Sequence, residues 1–141
     1  RLLDMGVPRY MVALSLQLVM AQRLVRVVCE HCRKPHNPSP AEHSWLRVSL
    51  GQPAELPTVY AGSGCTQCNM TGYQGRTGVY EFLEMTNEVV DAINDGDPNI
   101  YVQAARRQMV GNTLRDDALR LILAGRTTVD EAMRITGQTA D

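Results

Sequence analysis

Cys29-Glu30-His31-Cys32 and Cys65-Thr66-Gln67-Cys68 together contain every cysteine of the chain, with 32 residues, 33 to 64, between them. A C-x-x-C stretch closes a tight turn that aims both sulfurs at one point, and two such turns supply the four thiolates of a tetrahedral zinc site. The residues after the second doublet suit that geometry: Asn69 tolerates a left-handed backbone, and Gly72 and Gly75 relax the exit. Cys29, Cys32, Cys65 and Cys68 are therefore the candidate metal ligands, and a closed four-thiolate shell gives the ion a structural role. Three other readings use the same residues. Two disulfides need an oxidising compartment. A thioredoxin-like redox pair needs only one doublet, beside a βαβ unit. An iron centre of rubredoxin type takes the same four ligands, and spacing does not separate it from zinc. His31, His36 and His43 lie close by, and with four cysteines present their imidazoles are expected in solvent.

The totals narrow the classes. The chain has 141 residues, of which 44% are hydrophobic and 21% charged, enough for a true core, with about two-thirds of the unfolded surface buried on folding. A formal net charge of −1 and a single lysine, Lys34, argue against a module that binds nucleic acid or a membrane surface, which needs a basic excess. No run approaches the ~18 apolar residues of a membrane span. The chain opens Arg1-Leu2-Leu3, without an initiator Met or a charged leader, and is expected to be a piece of a longer, cytosolic protein.

The elements follow from periodicity and punctuation. Pro8 to about Met20 is predicted as a helix, apolar nearly all round and hence buried in something larger than the fragment. Arg23–Val28, rich in β-branched residues, is predicted as a strand, with a helix running on to Val28 as its rival. Arg76–Phe82 is the matching strand. The pair makes an antiparallel hairpin whose long connection is the metal module, because a loop of that length in a compact domain needs a reason to be ordered. Inside it a short helix over Ala41–Leu50 carries Trp45 and Leu46, expected to form a small core of the module's own. From Thr86 the chain reads as four helices: one capped by Thr86, one opened by Asp97-Pro98, one from Thr113, and one from the capping box Thr128-Val129-Asp130-Glu131. Residues 137–141 are expected to fray. The arginines of these helices, Arg134 among them, are read as a solvated face.

Several chemistries are missing. No stretch fits G-x-x-x-x-G-K-[ST], since the sole lysine follows Arg33, so no phosphate cradle of that type exists here. There is no H-E-x-x-H. Asp116-Asp117 point apart on a helix and make a poor carboxylate pair. The fragment alone is expected to catalyse nothing, and no catalytic residue is assigned.

Taken together, Leu3-Asp4-Met5-Gly6-Val7-Pro8, Ala21-Gln22-Arg23-Leu24-Val25-Arg26, the two doublets, and Gly72-Tyr73 with Gly75-Arg76-Thr77-Gly78-Val79-Tyr80-Glu81 resemble the C-terminal region of the bacterial secretion ATPases. These are the motors of type II secretion and of type IV or MSHA-type pilus assembly. Leu114-Arg115-Asp116-Asp117-Ala118-Leu119 and Gly125-Arg126-Thr127-Thr128-Val129-Asp130-Glu131-Ala132 match the family's closing pattern. The resemblance implies an α+β fold: the end of a RecA-like core (residues 1–28), a tetracysteine zinc insertion (29–75), a returning strand (76–85) and a helical C-terminal subdomain (86–141). It implies a parent that works as a homo-hexamer, hydrolyses ATP with Mg²⁺ at the cytoplasmic face of the inner membrane, and acts through an inner-membrane platform and other assembly proteins. It also implies that the P-loop lies upstream of Arg1 and that the tetracysteine insertion favours an assembly motor over a retraction motor. A free-standing zinc-ribbon interaction module is the alternative. Zinc would make the insertion a stiff projection on a mobile hairpin, so that Cys65→Ser loosens residues 33–64 and leaves the C-terminal helices mostly intact.

Overall fold

The computed structural model describes residues 1–137; of the tail expected to fray, 138–141 lie outside the described residues. Its elements are α1 (Arg9–Ser15), β1 (Leu18–Val28), β2 (Arg33–His36), α2 (Pro40–Ser49), β3 (Val59–Gly62), β4 (Tyr73–Glu84), α3 (Asn87–Asp95), α4 (Pro98–Gln108), α5 (Leu114–Leu123) and α6 (Val129–Thr136). The class is α+β, with β1 paired to β4 and β2 paired to β3 in two small sheets.

The long hairpin is present and longer than expected. Met85 N–H donates to Gln17 O at one end of the β1–β4 ladder and Cys29 N–H to Gly72 O at the other, so the strands run antiparallel. This ladder corrects the first expected helix. α1 ends at Ser15, and Leu18, Val19 and Met20 already belong to β1. The rival helix to Val28 fails for the same reason: β4 offers a partner for these backbone groups, and pairing outweighs the weak helical preference of the segment. Nor is α1 apolar-buried all round. Val12 and Ala13 are covered, while Met11 is 46% and Leu14 78% exposed. With seven residues, only one face of α1 packs, and it packs on α3.

The residues group into two compact units. One comprises Arg1–Ala21 and Glu81–Thr113; the other comprises Gln22–Tyr80 and the chain from Leu114 on. In the first, Leu83, Val89, Ala92 and Ala104 form the core, with Met85, Ile93 and Tyr101 packed around them. Thr86 caps α3 by accepting from Val89 N–H, Asp97 caps α4 by accepting from Asn99 N–H, and Gly96 ends α3 at φ 88°.

In the second unit the insertion and the last two helices share one core. Trp45 and Leu46 of α2 do not make a core private to the metal module. They share one with Val25, Val59 and Val79 of the strands and with Leu114, Ala118, Ile122, Val129, Ala132 and Ile135 of α5 and α6. Trp45 Nε1–H donates to Thr136 Oγ1 at 3.1 Å, and the Arg115 guanidinium lies over the indole. Burying a side chain such as Ile122 or Leu46 contributes about 1.5–3 kcal/mol, so this common core is far too favourable to leave the insertion a free projection. α2 itself starts at a full capping box, Ser39 Oγ accepting from Glu42 N–H and the Glu42 carboxylate from Ser39 N–H. β2 and β3 pair antiparallel in the register Arg33 with Gly62 and His36 with Val59. Among the described residues no helix is long and apolar enough to cross a membrane.

Candidate metal centre

Each doublet is a turn held by its own backbone. The first leaves β1 at Val28 and enters β2 at Arg33; Ser63 N–H donates to Cys32 O and fastens the two ends of the β2–β3 pair. The second is a single 3-10 turn over Thr66–Cys68, closed by Asn69 at φ 52° and by Met70 N–H donating to Cys65 O. A left-handed residue after such a turn is what an asparagine supplies at little cost. Gly72 follows at φ 79°, and a methyl group added there would sit 2.6 Å from Gly62 O. The two backbones touch at these glycines because neither carries a Cβ.

The geometry brings all four sulfurs together. Cys29 Sγ stands 3.8 Å from Cys65 Sγ, Cys32 Sγ 3.9 Å from Cys68 Sγ, and Cys65 Sγ 3.7 Å from Cys68 Sγ. All four lie within 4.8 Å of one another. Sulfurs at the corners of a tetrahedron with metal–sulfur bonds of about 2.3 Å are about 3.8 Å apart. The cradle therefore fits a tetrahedral ion of zinc's size without rearrangement of the turns. His31, His36 and His43 are exposed, and His36 Nε2 instead lies 3.0 Å from a Glu42 carboxylate oxygen. All four cysteines are free thiols rather than disulfides.

The electrostatics of the site divide two of the thiols. Burial pushes the Cys68 thiol up, but Cys65 N–H at 3.3 Å and Gly72 N–H at 3.2 Å both point at its sulfur, and together with the neighbouring thiols they bring it down to about 6. Backbone donors aimed at a sulfur stabilise the thiolate, which is the form that binds a metal. Cys32 goes the other way: burial and the surrounding sulfurs push it up to about 11 against a backbone hydrogen bond from Gly64. Loading the site with a dication thus expels protons as it gathers thiolates.

Between β1 and α6 lies a polar network the sequence did not announce. Glu131 is 1% exposed. Its Oε2 accepts from Arg26 N–H at 2.7 Å and from Arg134 Nη2 at 2.9 Å, and its Oε1 accepts from Arg26 Nη2 at 3.0 Å. Burial pushes this carboxyl up, and the hydrogen bonds from Arg134, Arg26 N–H and the Arg26 guanidinium outweigh it, holding the group at about 2. Arg26 in turn stacks on the Tyr73 ring, 4.0 Å from its centroid. The capping box expected at Thr128 is therefore half made. Thr128 Oγ1 accepts from Glu131 N–H, while the Glu131 carboxylate turns away to the arginines. Arg134 is correspondingly no idle member of a solvated face. The signal was an acidic residue at the third position of a helix, which serves a cap or a buried ion pair equally well.

Residues 1–134 match the sequence profile of the type II/IV secretion system protein family. The chain belongs to that family. Among its relatives are the "Type II secretion system protein E" of Pseudomonas aeruginosa, 39% identical over 137 residues, which cover 96% of this chain and 26% of that protein. The "Type IV pilus assembly ATPase PilB" of Thermus thermophilus is 37% identical over 138 residues, 96% of this chain and 15% of that protein. The "Type II secretion system ATPase E" of Vibrio cholerae is 33% identical over 141 residues, 99% of this chain and 27% of that protein. The chain thus spans about a quarter or less of the length of these secretion family members. The similarity to secretion and pilus ATPases drawn from the doublets and the Gly72–Glu81 motif is confirmed by these matches.

Proposed function

We propose that this chain is the C-terminal, zinc-carrying part of a hexameric ATPase motor that powers type II secretion or the assembly of a type IV or MSHA-type pilus. In this reading Cys29, Cys32, Cys65 and Cys68 hold one structural Zn²⁺, and ATP with Mg²⁺ binds residues of the parent that lie outside the chain. The parent works at the cytoplasmic face of the inner membrane through a platform and other assembly proteins. The observation that carries the proposal is the set of four sulfurs at tetrahedral spacing, built into a chain of the secretion family that holds no P-loop of its own. When bound, the ion cross-links the two turns. The chain's residues do the rest: Cys65 and Gly72 N–H groups steady the Cys68 thiolate, and the Gly62–Gly72 contact keeps the two backbones close enough for all four sulfurs to meet.

The test is made in the intact parent carrying Cys65→Ser. Zinc content should fall from one per chain to near zero, and secretion or pilus assembly should fall with it, while nucleotide binding persists. Full transport by a zinc-free protein would overturn the proposal.

A further inference from the structure

The two residues that flank the first cysteine pair, and Tyr73 five residues past the second, all reach one short turn, Gly125–Thr128, between α5 and α6. Val28 N–H, directly before Cys29, donates to Arg126 O at 2.9 Å. Arg33, directly after Cys32, donates from Nη1 to Gly125 O at 3.0 Å. Gly72 links the other doublet: its N–H points at Cys68 Sγ and its carbonyl accepts from Cys29 N–H. The next residue, Tyr73, places its hydroxyl 2.9 Å from Thr128 Oγ1. Thr127 Oγ1–H closes the circle by donating to Arg26 O at 2.8 Å. Gly125 sits at φ 70°, and a Cβ there would stand 3.1 Å from Arg33 Nη1, so the turn has no slack on that side. Beyond the turn, Glu131 fixes the first half of α6 to Arg26.

From this convergence we infer that Gly125–Thr128 and α6 form a metal-dependent latch, closed when the four sulfurs share an ion and released when they do not. Pulling Cys29 and Cys32 toward Cys65 and Cys68 sets the positions of Val28, Arg33 and Tyr73, the three groups that grip the turn. Without that constraint nothing but the turns themselves holds the two cysteine pairs together, and the three grips cannot all be kept. The linkage is reciprocal: whatever loosens the turn must weaken the metal by the same factor. The inference rests on the zinc reading above, and it reverses the sequence-based expectation that the C-terminal helices ignore the metal.

Hydrogen exchange of the intact protein, zinc-loaded and chelator-stripped, tests it, with zinc counted in the same samples. Stripping should speed exchange about tenfold or more in 125–136 as well as in 59–73, and leave α3 and α4 unchanged. Tyr73→Phe keeps the ring under Arg26 but removes the hydroxyl, and should raise the zinc dissociation constant about tenfold, the scale of coupling between linked sites. Zinc that leaves without any change in α6, or a Tyr73→Phe protein of wild-type affinity, overturns the latch while sparing the zinc reading. A protein that binds no zinc overturns both.

Discussion

Glu131→Gln removes one buried charge and takes from Arg26 and Arg134 the carboxylate they share. The carboxyl is held at about 2 against an ordinary value of 4.5, and at about 1.4 kcal/mol per unit that displacement corresponds to about 3 kcal/mol. Both guanidinium side chains are about half exposed, 49% and 52%, so solvent screens the pair and about 2 kcal/mol is the working figure. Trp45 is the only tryptophan and shares its core with α6, so its fluorescence during urea unfolding reports on the affected unit. For a denaturant slope of about 2 kcal/mol/M, the midpoint at pH 7 should drop by about 1 M. The sign of the pH dependence is fixed by the depressed value. The stabilisation is whole above pH 4.5 and fades as the pH falls toward 2, so the gap between wild type and variant must close across that window. A gap under about 0.5 kcal/mol at pH 7, or one that persists unchanged at pH 2, would refute the reasoning.

Three further substitutions probe separate parts of the account. Gly72→Ala forces a Cβ onto a left-handed residue, 2.6 Å from Gly62 O; strain of about 1–2 kcal/mol from the backbone alone should cut zinc affinity by about tenfold or more, read by competition with a coloured chelator, and unchanged affinity would contradict the cradle. Ile122→Ala empties a fully buried position of the shared core and should cost about 2–5 kcal/mol, seen as an earlier Trp45 fluorescence transition; a loss that Trp45 does not register would mean that α2 and α5 unfold independently. Ser39→Ala deletes one arm of the α2 capping box, a loss of about 1 kcal/mol that should lower the melting temperature of the zinc-loaded protein by about 4 °C; no shift would leave the box without energetic weight.

Local chemistry was legible in the sequence wherever a few neighbouring residues settle the outcome. The doublets, Asn69, Gly72 and Gly75, the helix over Ala41–Leu50, and the caps at Thr86 and Asp97 all declare themselves within four or five positions. The β1–β4 pair was legible too, from β-branched residues on both sides of the insertion, but its extent was not. Leu18-Val19-Met20 join the strand because Met85 bonds Gln17 across the ladder, a partner nearly 70 positions away that no local period reveals. The same separation hid the shared core. Nothing in Trp45-Leu46 says that their neighbours are Leu114 and Ile135 rather than other residues of the loop. Glu131 shows the limit most plainly: as a capping residue it belongs on the surface, and only the fold brings Arg26 beside it and lets it be buried as an ion.

X-ray absorption at the zinc edge, combined with metal analysis of the purified protein, tests the central claim most directly. One zinc per chain with four sulfur neighbours at about 2.3 Å, lost on Cys65→Ser, is the predicted result. A metal-free protein, iron in place of zinc, or nitrogen or oxygen in the first coordination sphere would contradict it.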